Sequence, residues 1–139
     1  MSNQDIKERI IKVLAESKVG SLATVKGNKP HSRYMTFFNE DLTLYTPTSK
    51  ETYKAEEIEE NPNVHILIGY SGDGMGDAYI EVQGKAVIRE DQALKDKYWG
   101  EQMKKWIKSP NDPDFIILEI KPETIRLMND NGDPETISL

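Results

Sequence analysis

The chain contains no cysteine, which excludes disulfide frameworks, thiolate zinc centres, iron–sulfur clusters and cysteine nucleophiles. Apolar residues are sparse at 37%. Counting glycine and leaving out tyrosine gives ~39%, against the ~45–50% typical of globular domains. So thin a core leaves room for a cofactor or a partner subunit to supply missing burial. No apolar run approaches the ~20 residues needed to span a bilayer. Basic residues are outnumbered, 18 Lys+Arg to 24 Asp+Glu, for a net charge of −6. That balance argues against a nucleic-acid binder relying on counterion release and against a polybasic membrane anchor. The opening Met1-Ser2-Asn3-Gln4-Asp5 is polar, unlike a signal peptide, so a soluble cytoplasmic protein is expected. A length of 139 residues fits one domain, expected over 1–139 with 1–4 and 130–139 frayed.

Hydrophobic periodicity outlines the elements. Ile6, Ile10, Val13 and Leu14 share one face of an opening helix. Val19–Val25 reads as a strand, and Lys26-Gly27-Asn28-Lys29 as a hairpin turn. His31–Phe38 and Leu42–Thr46 continue an antiparallel meander, with Pro47 expected to end it. A Lys-, Ala- and Glu-rich helix over Tyr53–Glu60 precedes a β-branched strand, Val64–Tyr70. The loop Gly72-Asp73-Gly74-Met75-Gly76-Asp77 leads to a long strand, Ala78–Ile88, then a helix, Gln92–Lys108. Two last strands, Phe115–Ile120 and Ile125–Met128, flank Lys121-Pro122-Glu123. About seven strands in hairpin pairs, with three inserted helices, predict a mainly β fold: an antiparallel barrel with peripheral helices.

Few residues carry obvious chemistry. His31 and His65 lie in strands without the companions of a metal site, so no metal is expected. The glycine-rich loop lacks the ligand alternation of a calcium site and the lysine of a phosphate loop. Acidic residues of the Glu56–Glu60 run read as a solvated helix face. One constellation stands apart. Arg33 lies mid-strand, and Thr48-Ser49-Lys50, Thr52 and Lys54 gather hydroxyls and ammonium groups at a helix start. With unpaired helix N–H donors they suit a phosphate dianion. Lysine there opposes the helix dipole unless an anion is present. The alternative is that Lys50 and Lys54 are surface lysines balancing Glu51, Glu56 and Glu57, and the residues alone leave both open.

Taken together, Ser32-Arg33-Tyr34-Met35, Leu44-Tyr45-Thr46-Pro47-Thr48-Ser49, Thr52-Tyr53-Lys54 and Glu57-Ile58 through Asn61-Pro62-Asn63-Val64 resemble the flavin-binding split barrels of the pyridoxamine-phosphate-oxidase-like superfamily, in its bacterial general-stress-protein branch. The resemblance covers most of residues 5–128. It implies a Greek-key split β-barrel that forms a homodimer, with FMN at the subunit interface. By the same resemblance, Arg33, Tyr34, Met35 and Thr36 lie along the isoalloxazine edge. Thr48, Ser49, Thr52 and Lys54 hold the phosphate, and Trp106 is the candidate aromatic cover from the partner subunit.

Three departures bear on activity. Tyr53-Lys54 stands where true oxidases of this family have Arg-Lys, so one phosphate charge is missing unless Lys50 substitutes. Tyr79 replaces a glutamine near the ring, and no counterpart of the substrate-binding C-terminal segment follows Met128. Oxidation of pyridoxamine phosphate is therefore not expected. The leading expectation is a stress-related, FMN-dependent oxidoreductase of unspecified substrate, with the flavin carrying the electron chemistry. The alternative is a non-catalytic module that stores or senses a flavin, deazaflavin or haem-type ligand. No catalytic side chain is nominated.

Overall fold

The computed structural model describes residues 3–51, 53–72, 77–130 and 132–139, and among these the side chains of Tyr53 and Lys54 lie outside the description. In chain order the elements are α1 (Asn3–Glu16), β1 (Val19–Lys26), β2 (Lys29–Thr36), β3 (Phe38–Glu40), β4 (Thr43–Ser49), α2 (Tyr53–Glu60), β5 (Asn63–Ile68) and β6 (Tyr79–Arg89). There follow α3 (Gln92–Tyr98), a 3₁₀ turn (Glu101–Lys105), β7 (Phe115–Met128) and β8 (Glu135–Ser138). All strand pairings are antiparallel, in the order β2-β1-β5-β6-β7-β4-β3 with β8 added on β7. The two ends of this path, β2 and β3, are consecutive in the chain and separated by Phe37 alone. The sheet therefore curls back on itself as a split barrel with helices outside, the fold class that the strand pattern predicted.

Alternation builds the interior. On β1, Leu22 and Thr24 are buried, and Leu22 joins Val64, Ile66 and Ile68 of β5 and Ile80 and Val82 of β6 in the core. Helix α1 closes the core with Ile6, Ile10, Val13 and Leu14. Phe115–Ile120 is buried throughout because β7 is covered on both faces. Ile116, Leu118 and Ile120 join the main core, while Phe115 and Ile117 pack with Tyr45, Tyr98, Met103 and Ile107 in a second cluster outside the barrel. Among the described residues no helix is long and apolar enough to cross a membrane.

Four expectations change. Pro47 sits inside β4, opposite Ile117. It is tolerated because β3 pairs only with residues 43–45, so Pro47 has no ladder partner on its other side. The run His31–Phe38 breaks at Phe37, whose ring is buried at 2% exposure. The long helix ends at Tyr98 and resumes as the short 3₁₀ turn. The tail expected to fray forms β8, with Ile137 buried opposite Ile125.

Strand β7 also runs unbroken through Lys121-Pro122-Glu123. Gln83 faces Thr124 while Gly84 faces Pro122, so Glu123 is the extra residue of a bulge. A Cβ on Gly84 would lie 2.4 Å from the Lys121 carbonyl oxygen, so only glycine fits without a shift. Gly84→Ala is expected to cost about 1–3 kcal/mol. A thermal melt matching that of the unaltered chain would show that the bulge has room to spare.

Candidate functional site

The site is built around the point where β2 gives way to β3. Among the described residues, β2, the outermost strand of the path, has a ladder partner on one edge only, and its alternation turns Ser32, Tyr34 and Thr36 outward while Arg33 and Met35 are half-buried. Two bonds fix the strand end, one to the residue before β1 and one to β4. The Phe37 amide donates to the Lys18 carbonyl at 2.7 Å, and the Thr46 hydroxyl donates to the Thr36 carbonyl at 2.7 Å.

That junction frames a hollow of about 360 Å³ lined by Tyr34, Met35 and Thr36 from β2, Pro47, Thr48 and Ser49 from β4, and Tyr98, Gln102, Met103 and Trp106 from the outer helical segment, with Val19 and Phe38. Its volume lies within the ~300–1,000 Å³ range of small-molecule sites. One wall is aromatic: Phe38 and Tyr98 line it with ring centroids 5.0 Å apart, and Tyr45, outside the lining, stacks on Tyr98 at 5.2 Å. Burial raises the pKa of both phenols. Glu119 adds to the rise at Tyr45 and Tyr45 adds to it at Tyr98, so both stay neutral at physiological pH. Trp106 stands at the rim, 59% exposed. At the β4 end, Thr48 and Ser49 are nearly buried, and the Ser49 hydroxyl accepts the Glu51 amide at 3.2 Å.

Tyr34, Met35, Thr36, Thr48, Ser49 and Trp106, all singled out from the sequence, thus line one hollow, and Trp106 lines the hollow of its own chain. Thr52 and the Lys54 side chain lie outside the described residues; Lys54 belongs to the first turn of α2. Lys50 is engaged elsewhere, paired with Glu90.

Arg33 is not among the residues lining the hollow. Its guanidinium turns to the barrel wall, donating to the Leu22 carbonyl at 3.2 Å, the Thr24 hydroxyl at 2.8 Å and the Glu57 carboxylate at 3.1 Å. The Thr24 hydroxyl in turn donates to Glu57. Glu57, expected on a solvated face, is only 2% exposed. Burial alone would push its carboxyl up, but the Thr24 hydrogen bond and the Arg33 guanidinium together hold it below the usual carboxylate range. A signal for it exists in the sequence: Thr24 occupies an inward position of β1, where a hydroxyl needs a partner.

A larger hollow of about 800 Å³ adjoins the first, sharing Val19 and Tyr34, and also lined by Leu67, Tyr70 and Tyr79. Tyr79, one of the departures from the family pattern noted in the sequence, meets Tyr70 edge-to-face at 5.8 Å. Val19, Tyr34, Leu67 and Tyr70 are exposed, so this chain leaves an apolar surface uncovered around the hollow. At the base of the glycine-rich loop, the Asp77 carboxylate accepts the Ser71 and Gly72 amides; residues 73–76 lie outside the description.

Comparison with known proteins bears on the whole arrangement. General stress protein 26 of Bacillus subtilis (strain 168) is 60% identical over all 139 residues of this chain and 99% of its own length. The crystal structure of General Stress Protein 26 from Bacillus anthracis str. Sterne superposes with a TM-score of 0.87 at 42% identity, covering 96% of this chain and 98% of that one. A protein related to general stress protein 26 from Clostridium acetobutylicum, at 16% identity, shares the fold, with a TM-score of 0.82 over 99% of this chain and 97% of its own. The family described as pyridoxamine 5'-phosphate oxidase matches residues 6–129, a span running from α1 through β7 and taking in the hollow between β2 and β4. By sequence and by fold, the chain belongs to the pyridoxamine 5'-phosphate oxidase family.

Proposed function

We propose that this chain is a cytoplasmic FMN-binding protein that works as a homodimer and, with FMN bound, as an oxidoreductase. The observation that carries the reading is the hollow itself, which joins an aromatic wall to a hydroxyl-bearing end that leads within five residues to a lysine in a helix's first turn. An aromatic wall suits a planar ring. Hydroxyls, helix N–H groups and an ammonium suit a phosphate. In this reading Thr48, Ser49, Thr52 and Lys54 bind the phosphate. Tyr34, Met35 and Thr36 lie along the ring, and Trp106 at the rim shields it from water. When bound, the flavin supplies the electron transfer, so no side-chain acid or base is needed.

The uncovered surface formed by Val19, Tyr34, Leu67 and Tyr70 supports the dimer, since a contiguous exposed apolar patch marks an interaction site. Light scattering on the purified chain is expected to give twice the monomer mass. A monomer at micromolar concentration would reject that part of the reading.

Purified protein is expected to be yellow and to release a chromophore with the mass of FMN. Stripped protein given FMN at ~100 times its dissociation constant gains about 2.7 kcal/mol, a rise in melting temperature of roughly 8 °C for a chain of this size. Colourless protein whose melt ignores excess FMN overturns the reading. Anaerobic mixing with reduced nicotinamide cofactors tests turnover: bleaching of the visible band supports a reductase, and a flavin-loaded protein inert to every donor is a storage or sensing module instead.

A further inference from the structure

We propose that Glu57 is a positioning residue that sets the start of α2, and with it the phosphate end of the site, against β2. The proposal rests on the flavin reading above, and it assigns work to a residue that touches no ligand.

Glu57 has the most buried carboxylate among the described residues, and it reaches from α2 into the barrel wall. There it meets Thr24 of β1 and Arg33 of β2, while Arg33 is itself anchored on Thr24 and on the Leu22 carbonyl. Three elements are thereby tied to one carboxylate. Among the described side chains, the rest of α2's buried face is Ala55 and Ile58, and such apolar contacts are non-directional, resisting separation more than sliding or rotation. A charged, hydrogen-bonded contact adds direction. It is not required for stability as such, since well-packed apolar replacements of buried ion pairs are often neutral or stabilising.

The two segments so tied frame the hollow. Tyr53 and Lys54 form the first turn of α2, one turn before Glu57. Tyr34, Met35 and Thr36 follow Arg33 directly on β2 and line the hollow. Loss of the clasp lets the helix start drift relative to the strand. The phosphate end then suffers, while the aromatic wall of Phe38 and Tyr98, which the clasp does not touch, keeps its place.

The test uses the full chain with Glu57→Gln, which keeps the shape and removes the charge. Thr24→Val is the second variant, should the first fold poorly. FMN affinity is expected to fall about 10-fold while riboflavin affinity changes less than about twofold. Without any ligand, hydrogen exchange of the amides at 57–61, those α2 protects, is expected to quicken by about the same factor, with β5 and β6 unchanged. Equal losses for FMN and riboflavin, or unaltered exchange in both variants, overturn the proposal. Lys54→Ala run alongside separates the two levels of argument. If it discriminates FMN from riboflavin and Glu57→Gln does not, the positioning role fails alone. If neither discriminates, the phosphate assignment falls and the positioning role with it.

Discussion

Lys54→Ala lowers FMN affinity by about 10- to 100-fold and leaves riboflavin binding within about twofold: that is the expected result, because a charge-assisted hydrogen bond contributes ~1.5–3 kcal/mol when shielded from water. Riboflavin lacks the phosphate and so reports everything except that bond. Lys50 is not expected to compensate, since it pairs with Glu90 and the Glu90 hydrogen bond raises its pKa. Paired titrations of stripped protein, with flavin fluorescence as the signal, give both affinities. A similar loss for both ligands would mean that Lys54 supports the helix rather than the ligand, and a gain in FMN affinity would remove the phosphate from this end of the hollow.

The second large effect is on stability. Arg33→Ala is expected to cost about 3 kcal/mol at neutral pH, because it leaves Glu57 buried with its main counter-charge gone, or roughly 8–10 °C in melting temperature. Glu57 also fixes the sign of the pH dependence. In the folded chain burial pushes its carboxyl up, but the Thr24 bond and Arg33 bring it below its ordinary value, so in the unaltered protein its contribution is present above about pH 4.3 and fades as pH falls through the folded value. Removing Arg33 leaves burial less opposed and moves the carboxyl up. The deficit of the variant is therefore largest at pH 7 and shrinks as the pH falls, because the variant's raised carboxyl takes up its proton first and the uncompensated buried charge disappears. Denaturant melts at neutral and acid pH measure this. A deficit that grows on acidification would contradict an ionised, buried Glu57. Replacing both partners with apolar residues, Arg33→Met with Glu57→Leu, is expected to recover most of the loss.

These two effects separate what could be read along the chain from what could not. Tyr34, Met35 and Thr36 are consecutive, as are Thr48 and Ser49, and a strand followed by a hairpin strand implies that they are near one another; the hollow they line follows from local order. Arg33 is different. Its residue type and mid-strand place marked it, but which face it presents depends on what the barrel puts behind it. Behind it lie Thr24 and Glu57, nine and twenty-four residues away. Glu57 itself left only an indirect trace, the inward hydroxyl of Thr24 in need of a partner, because a carboxylate among four acidic residues has no local pattern that distinguishes the one facing inward.

Alternation, turn chemistry and helical periodicity, all short-range, were enough to determine the antiparallel strands, the outer helices and the barrel class. The Gly27-Asn28 turn, with both residues at positive φ, is a local decision of this kind. The continuity of β4 through Pro47 and of β7 through Pro122, the pairing of the last residues as β8, and the burial of Glu57 were decided only by the assembled sheet. Each depends on which strand lies alongside or which helix lies above, and a partner brought in by chain closure leaves no periodic trace in the residues that receive it.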